Sequence, residues 1–176
     1  TLSPSSAASD VYKRQMQGCP WRCPFCHNKA LQKIGAETNF IWEKFSEFLK
    51  GRKGILDAVV FSGGEPLVQD CLMDYIKEVK DMGYQVGMHT GGYRPEHFEK
   101  VLPMLDWVGF AIKAPLNAEH YSKAVGGINH FDKAMQSLDM LIKSGKAFEC
   151  RTTCDPRVLS VDAVSYTHLR AHETSA

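Results

Sequence analysis

Three cysteines near the start of the chain have the spacing of a metal-binding loop. Cys19, Cys23 and Cys26 are separated by three and by two residues, so their thiolates could grip one soft metal centre. A structural zinc site usually has a fourth protein ligand, and His27 directly follows the third cysteine. Iron–sulfur clusters are also held by cysteine thiolates, and three cysteines would leave one iron of a four-iron cluster open. Either metal site fits the cysteines alone.

The surroundings of these cysteines indicate a loop in a reducing environment. Pro20 and Pro24 interrupt any regular helix, so the sulfurs must come from an irregular segment wrapped around the metal. The chain has six cysteines, and three of them fall in this loop. This clustering favours a metal site in a reducing compartment over a disulfide framework. We therefore expect a cytoplasmic protein.

A second segment with chemical potential is Ser-Gly-Gly-Glu-Pro at residues 62–66, directly after an apolar run. Gly63 and Gly64 allow a close backbone approach and positive φ. The carboxylate of Glu65 and exposed carbonyl groups can accept hydrogen bonds from an ammonium group, and Pro66 stiffens the exit of the turn. Taken alone, the segment equally fits an ordinary strand–helix turn.

The two segments together closely resemble the motifs of the radical S-adenosylmethionine (SAM) superfamily. The loop QGCPWRCPFCHN matches C-x3-C-x-aromatic-C, with Phe25 at the aromatic position, and GGEP follows in the expected order. The resemblance implies a 4Fe-4S cluster whose open iron binds SAM. It also implies that residues 63–66 contact the methionyl amino group. On this evidence the cluster is favoured over zinc.

Further candidate residues stand at the ends of later predicted strands. Thr90 and Gly91 end one strand, and the resemblance suggests ribose or carboxylate contacts there, although a plain turn fits as well. Lys113 offers a positive point charge for the SAM carboxylate. Glycyl-radical activating enzymes, one branch of this superfamily, have a similar Asp-x-Lys at this place. This chain has Ala111 at the position of the aspartate. For Arg151, both a contact to SAM or substrate and a structural ion pair are open.

The pattern of apolar residues predicts a parallel α/β sheet. Short apolar strands alternate with amphipathic helices, so the fold should be a partial (β/α)6 TIM-like barrel with its site at the carboxyl ends of the strands. The first strand should lie before residue 16 and be clipped, and a sixth should follow residue 162 and be missing. We predict strands at 58–61, 85–89, 107–112 and 147–153, and helices at 41–50 (N-capped by Thr38 or Asn39), 72–82, 95–102 and 131–142.

The composition of the chain limits the classes of partner that we expect it to bind. The chain of 176 residues has a formal net charge of +1, which gives no electrostatic case for nucleic acid or a membrane surface. No apolar run approaches the roughly 20 residues that a membrane span needs.

The two ends of the chain differ from the rest. Back-translation of residues 10–15 gives a DNA sequence whose reverse complement, read in another frame, encodes residues 164–168 and begins the codon for residue 169. The ends therefore resemble one inverted repeat, as in transposon adapters of sequencing libraries. We predict that residues 1–15 and 164–176 are adapter-derived and that residues 16–163 are the radical SAM core. Disordered tails are the alternative.

The resemblance extends to a specific branch of the superfamily. The cysteine loop, the GGEPL segment and DWVGFAIKAPL resemble activating proteins of anaerobic ribonucleoside-triphosphate reductase. The resemblance implies that the protein generates a glycyl radical on that partner with electrons from a flavodoxin- or ferredoxin-type donor. The pyruvate formate-lyase activating type shares Cys-His-Asn, so it stays an alternative. A small-molecule radical SAM enzyme and a non-catalytic zinc-binding module are further alternatives.

Overall fold

Parallel strands alternate with helices along the chain, as the apolar pattern predicts. The computed structural model describes residues 11–115, 117–126 and 130–157. Within these residues the strands form one sheet in the order β1-β2-β3-β4-β5, and every neighbouring pair is parallel. The elements are β1 (Val11–Met16), α1 (Trp42–Lys50), β2 (Ala58–Gly63), α2 (Leu72–Asp81), β3 (Gln85–Thr90), α3 (Pro95–Val101), β4 (Trp107–Ala111), α4 (Ala118–Val125), α5 (Phe131–Lys143) and β5 (Ala147–Arg151).

Alternate residues of the strands build the core between the sheet and its helices. Side chains of a strand point to opposite faces in turn, so one set faces the helices. Phe61 of β2, Met88 of β3 and Phe110 of β4 are fully buried there against apolar residues of α2, α3 and α5. The opposite, inner face is mixed. It carries Gly87 and His89, and His89 packs edge-on against the Trp107 ring at 5.2 Å between centroids.

Each of the four predicted helices ends within one residue of its predicted end, but the predicted N-cap of α1 is wrong. The helix begins at Trp42, and its N-cap Ile41 gives no side-chain hydrogen bond. Thr38 does not cap the helix, since its hydroxyl accepts from the backbone N–H of Phe40 instead. Tertiary packing secures this helix end, because the Trp42 ring stacks on Tyr75 of α2 at 3.6 Å between centroids.

A complete strand stands at the place where the sequence predicts that the native first strand is clipped. Val11–Met16 forms β1 and pairs with β2 from Val11↔Ala58 to Met16↔Gly63. A strand ladder is made by backbone groups, so a polar sequence can supply it where a neighbouring strand offers partners. Tyr12 and Arg14 then face α1, where the Arg14 guanidinium lies 3.5 Å from the centroid of the Phe40 ring.

The described residues contain one more α-helix than the sequence predicts, and their sheet is open. Helix α4 was not predicted; Asn117 caps it by accepting from the N–H of His120, and Gly126 ends it at φ +86°. Within the described part of the chain the sheet is open, with β1 and β5 at its edges. The predicted sixth strand and the tail at 164–176 lie outside the described residues.

Of the helices in the described ranges, none combines the length and apolarity that a bilayer crossing requires.

Candidate cluster and cofactor site

The cysteine loop leaves the carboxyl end of β1 and is fastened by backbone hydrogen bonds. Cys19 N–H donates to the carbonyl of Gln32 at 3.1 Å, and Arg22 N–H donates to the carbonyl of Val125 at 2.9 Å. The Arg22 guanidinium also donates to the carbonyl of Cys19 at 2.8 Å. These bonds join the loop to the segment after it and to the end of α4. The loop is thus held in place although it has no regular secondary structure.

All three motif cysteines open onto one cavity of about 140 Å³ at the carboxyl ends of the strands. Cys23 is buried, while Cys19 and Cys26 are half-buried. Of the site residues predicted from the sequence, the cavity brings together the three cysteines, Phe25, Gly63, Gly64 and Lys113. Its wall consists of Cys19, Trp21, Cys23, Phe25, Cys26, His27, Asn28, Gln32, Gly63, Gly64, Lys113 and Thr153.

Gly63 and Gly64 form one side of this cavity because the backbone passes very close to the cysteine loop. Gly63 has φ +113°, and Gly64 N–H donates to the carbonyl of Met16 at 3.0 Å. A Cβ on Gly64 would lie 2.1 Å from the carbonyl oxygen of Gly18. No side chain fits there, so Gly64 is required for the close approach of this backbone to the cysteine loop.

Glu65 has a different place from the one expected for a ligand-binding carboxylate. Its side chain is buried and is absent from the cavity wall. Glu65 Oε1 accepts from the hydroxyl of Thr90 at 2.5 Å and from Leu67 N–H at 3.3 Å, and Oε2 accepts from Gly91 N–H at 2.8 Å. Glu65 therefore ties the end of β2 to the end of β3. Pro66, which is also buried, begins the short turn that follows.

Thr90 and Gly91 lie behind the cavity wall rather than on it. Both are buried, and their polar groups are engaged with Glu65. A Cβ on Gly91 would lie 2.5 Å from the Trp21 ring, so the absence of a side chain lets the indole pack against this turn. The geometry thus gives these two residues a supporting position.

Lys113 reaches the cavity from the loop after β4. Its Nζ lies 5.5 Å from the centroid of the Trp21 ring, a cation–π distance. Burial raises the pKa of Cys19 to about 11 and also raises the pKa of Cys23, while the charge of Lys113 acts in the opposite direction on both. The free thiols of Cys19 and Cys23 therefore keep their protons near neutral pH, and metal binding to them has to release protons.

Arg151 does not join the cavity. At the end of β5 it pairs with Glu149, and its Nη1 lies 3.4 Å from Nδ1 of His89. Its guanidinium carbon lies 5.6 Å from the centroid of the Trp107 ring. The contacts correspond to the ion-pair alternative for Arg151, on the inner face of the sheet.

Sequence reasoning missed several members of the wall. Trp21, Gln32 and Thr153 line the cavity without a motif to mark them. His27 and Asn28 also line it, and only their position directly after Cys26 could have indicated this. Gln17 is a further supporting residue, since its amide donates to the carbonyls of Ala30 and Lys33. A glutamine of this kind has no signal in sequence spacing.

Three cysteines line one cavity, as the ligands of a four-iron cluster would. Within the described ranges no group of three or more His, Cys, Asp or Glu side chains is positioned to hold a single metal ion. In a four-iron cluster each cysteine binds a different iron, so the sulfurs need to line a shared cavity rather than converge on one point. The donor set fits such a cluster.

The sequence matches the radical SAM superfamily over residues 15–155. The chain belongs to the radical SAM superfamily. Radical SAM proteins are enzymes that use a 4Fe-4S cluster and SAM. The cysteine loop and the GGEP segment both lie within the matched residues.

Two curated radical SAM relatives carry the names of activating enzymes. A protein of Methanocaldococcus jannaschii named as a glycyl-radical enzyme activating enzyme is 27% identical over 168 residues, covering 92% of this chain and 67% of the relative. The pyruvate formate-lyase-activating enzyme of Clostridium pasteurianum is 30% identical over 135 residues, covering 72% of this chain and 56% of the relative. The chain therefore spans only part of the length of these relatives.

Solved radical SAM structures share the fold. Streptococcus suis SuiB bound to S-adenosylmethionine has a TM-score of 0.72 at 13% identity, covering 95% of this chain and 38% of SuiB. Methylornithine synthase has a TM-score of 0.68 at 16% identity, covering 93% of this chain and 50% of that enzyme. The predicted partial barrel is confirmed.

Proposed function

We propose that the protein is a glycyl-radical activating enzyme that cleaves SAM reductively. The observation that carries this proposal is the single cavity onto which Cys19, Cys23 and Cys26 open together with Gly63, Gly64 and Lys113. A reduced 4Fe-4S cluster held by Cys19, Cys23 and Cys26 would, together with SAM, supply the radical chemistry for removing a hydrogen atom from a backbone glycine of the partner.

The residues around the cavity have distinct roles in this proposal. Cys19, Cys23 and Cys26 each hold one iron and leave the fourth iron for SAM. Lys113 provides the positive charge for the SAM carboxylate, because its ammonium group reaches the same wall. The backbone at Gly63 and Gly64 accepts hydrogen bonds from the methionyl ammonium group.

A second group of residues keeps this arrangement rigid and dry. Glu65, Thr90 and Gly91 connect the ends of β2 and β3 through buried hydrogen bonds. Phe25 and Trp21 present aromatic surface to the cavity and exclude water, which a reactive radical requires. Arg151 lies apart from the cavity, so we propose that it acts through the ion pair with Glu149 rather than on SAM.

For the partner we propose anaerobic ribonucleoside-triphosphate reductase. The likeness of the segments 17–28, 63–67 and 106–116 to its activating proteins supports this choice. The names of the relatives support pyruvate formate-lyase as the second candidate. We further propose a flavodoxin- or ferredoxin-type electron donor and a cytoplasmic location, which suits six free cysteines.

The test uses the anaerobically reconstituted protein with SAM and a one-electron reductant. We expect about four irons per chain, formation of 5′-deoxyadenosine, and a glycyl-radical signal in electron paramagnetic resonance (EPR) spectra when ribonucleotide reductase is present. A signal only with pyruvate formate-lyase would transfer the assignment to the second candidate. A colourless protein that binds zinc and leaves SAM intact would refute both.

We also propose that residues 1–15 and 164–176 are adapter-derived and that 16–163 is the native radical SAM core. Arg14 fits poorly into β1, and this supports an adapter origin for residues 1–15. Its Nε is buried without a hydrogen-bond partner among the described residues, and burial lowers the pKa of the guanidinium. Native strands rarely leave such a group unpaired. Sequencing of the genomic locus tests the proposal, and a continuous native reading frame through both ends would refute it.

A further inference from the structure

We propose that the indole N–H of Trp21 donates a hydrogen bond to a sulfur of the bound cluster and thereby raises its reduction potential. Trp21 lies between Cys19 and Cys23 in the loop, and no motif assigns it a role. The inference rests on the cluster of the proposed function. It assigns Trp21 as a positioning and tuning residue rather than a catalytic one.

The first observation is an unsatisfied donor in an enclosed position. Trp21 is only 2% exposed, and its Nε1 is buried without a hydrogen-bond partner among the residues that the structure describes. A buried donor without an acceptor costs about 1–3 kcal/mol. Native proteins rarely retain such a cost, so an acceptor that binds to the finished protein is expected.

The second observation is the orientation of the ring. A Cβ on Gly91 would lie 2.5 Å from Cη2 and 2.6 Å from Cζ3 of Trp21, so the benzene edge of the indole is directed towards the turn after β3. The pyrrole edge, which carries the N–H, is the part of the ring that is attached to the cysteine loop. Lys113 lies over the ring, and Tyr93 meets it edge-on at 6.1 Å between centroids. The ring therefore has little freedom to turn away.

The third observation is the neighbourhood of the cysteines. Trp21 belongs to the same packed cluster as Cys23, with Cys19 and Cys26 packed against it, and it lines the cavity onto which all three open. A protonated thiol is a weak acceptor, but a thiolate bound to iron and a cluster sulfide are both charged and accept strongly. The acceptor for Trp21 therefore arises when the cluster is assembled.

A hydrogen bond to sulfur affects electron transfer in a defined direction. The reduced cluster carries one more negative charge than the oxidised cluster, so a donor stabilises the reduced form more. Hydrogen bonds to the sulfurs are among the factors that set cluster potentials. Loss of the Trp21 donor should consequently lower the reduction potential without removing any iron ligand.

Tyr121 provides a matched control within the same packed cluster. Its hydroxyl is also buried without a partner among the described residues, yet Tyr121 is absent from the cavity wall. Both Trp21→Phe and Tyr121→Phe delete one unpaired buried donor and keep an aromatic ring. Only the first should influence the cluster.

The experiment compares reconstituted wild-type protein, Trp21→Phe and Tyr121→Phe by EPR-monitored redox titration without SAM. We expect a lower midpoint potential for Trp21→Phe at unchanged iron content, and a wild-type potential for Tyr121→Phe. Electron–nuclear double resonance should show an exchangeable proton coupled to the wild-type cluster that disappears in Trp21→Phe. If Trp21→Phe does not assemble a cluster, benzothienylalanine at position 21 keeps the bicyclic shape without the N–H.

Two results would overturn the inference. One is an unchanged potential with the coupled proton retained when the N–H is absent. The other is an unchanged potential with weaker SAM binding, which would assign the N–H to SAM instead. Absence of any cluster from the wild-type protein would be a failure of the proposed function itself, so the two failures are distinguishable.

Discussion

The carboxylate of Glu65 accepts a hydrogen bond of 2.5 Å from the hydroxyl of Thr90. Glu65 follows β2 and Thr90 ends β3, so this bond joins the two strand ends beside the cysteine loop. Burial raises the pKa of Glu65, while the hydrogen bonds from Gly91 and Thr90 lower it. Glu65, the acidic residue of the GGEP segment, thus supports the site from behind the cavity wall and does not line the cavity.

Replacement of Glu65 by glutamine tests this supporting role. The amide group would place a donor against either Gly91 N–H or the Thr90 hydroxyl, so one buried donor would lose its acceptor. We expect the free energy of unfolding to fall by about 1–3 kcal/mol and SAM binding to weaken. Urea unfolding and calorimetry measure both effects. Glu47→Gln is the control, because Glu47 is exposed; equal losses in the two variants would contradict the role of Glu65.

The three motif cysteines should differ sharply from the other cysteines. Cys19→Ala, Cys23→Ala and Cys26→Ala each remove one iron ligand, so we expect loss of iron and of 5′-deoxyadenosine formation. Cys71→Ala should retain both, since Cys71 lies outside the cavity wall. Iron analysis and product chromatography provide the measurements. Undiminished product formation by any one of the three motif variants would refute the cluster assignment.

Gly126 should be required for stability and for iron incorporation, because it supports the cysteine loop from the end of α4. It has φ +86°, and a Cβ there would lie 3.0 Å from the carbonyl oxygen of Arg22. We expect Gly126→Ala to lower both thermal stability and iron incorporation. Gly35→Ala is the control, because Gly35 has φ +67° with nothing within 4 Å of an added Cβ.

The comparison of these two glycine variants separates backbone strain from collision. Positive φ alone costs a residue with a side chain about 1–2 kcal/mol, and both variants incur it. Only Gly126→Ala should additionally lose iron. Equal iron contents would show that the contact with Arg22 is unimportant.

Lys113 should govern SAM affinity. Lys113→Met keeps the aliphatic stem and removes the charge, so we expect the dissociation constant of SAM to rise roughly 10- to 100-fold, the range of one charge-assisted hydrogen bond. Isothermal titration of the reconstituted protein measures this change. Lys123→Met is the control, since Lys123 pairs with Glu119 on the exposed side of α4; the same loss of affinity there would contradict a specific role for Lys113.

His89 should make stability depend on pH. Burial, followed by the charges of Arg151 and Lys13, lowers the pKa of His89 from 6.5 to about 4, and Glu149 opposes them. His89 therefore binds a proton less readily in the folded state than in the unfolded state. The free energy of unfolding should therefore decrease as pH falls from about 6.5 towards 4.

The measurement for His89 is urea unfolding at several pH values through this window. His89→Gln has no titrating ring, so its stability should decrease less steeply with acid than that of the wild type. Other titrating groups are common to both proteins and cancel in the comparison. Identical slopes would contradict the assignment to His89.

From the sequence alone, the superfamily and the class of the fold could be predicted. Cys19, Cys23 and Cys26, together with the GGEP segment at residues 63–66, predict the cluster loop, because residue spacing within a short segment is a local property. The alternation of apolar strands with amphipathic helices likewise predicts a parallel sheet, because the burial of each element is written in its own periodicity.

Only the tertiary structure decided which residues share the cavity and which support it. Glu65 was expected to contact the ligand, yet its carboxylate bonds to Thr90 and Gly91 because β2 and β3 end side by side. Trp21 gained its place from packing against Gly91, which is distant in sequence. Val11–Met16 became a strand because β2 offers unpaired backbone groups, and no local pattern can report the partner that another segment provides.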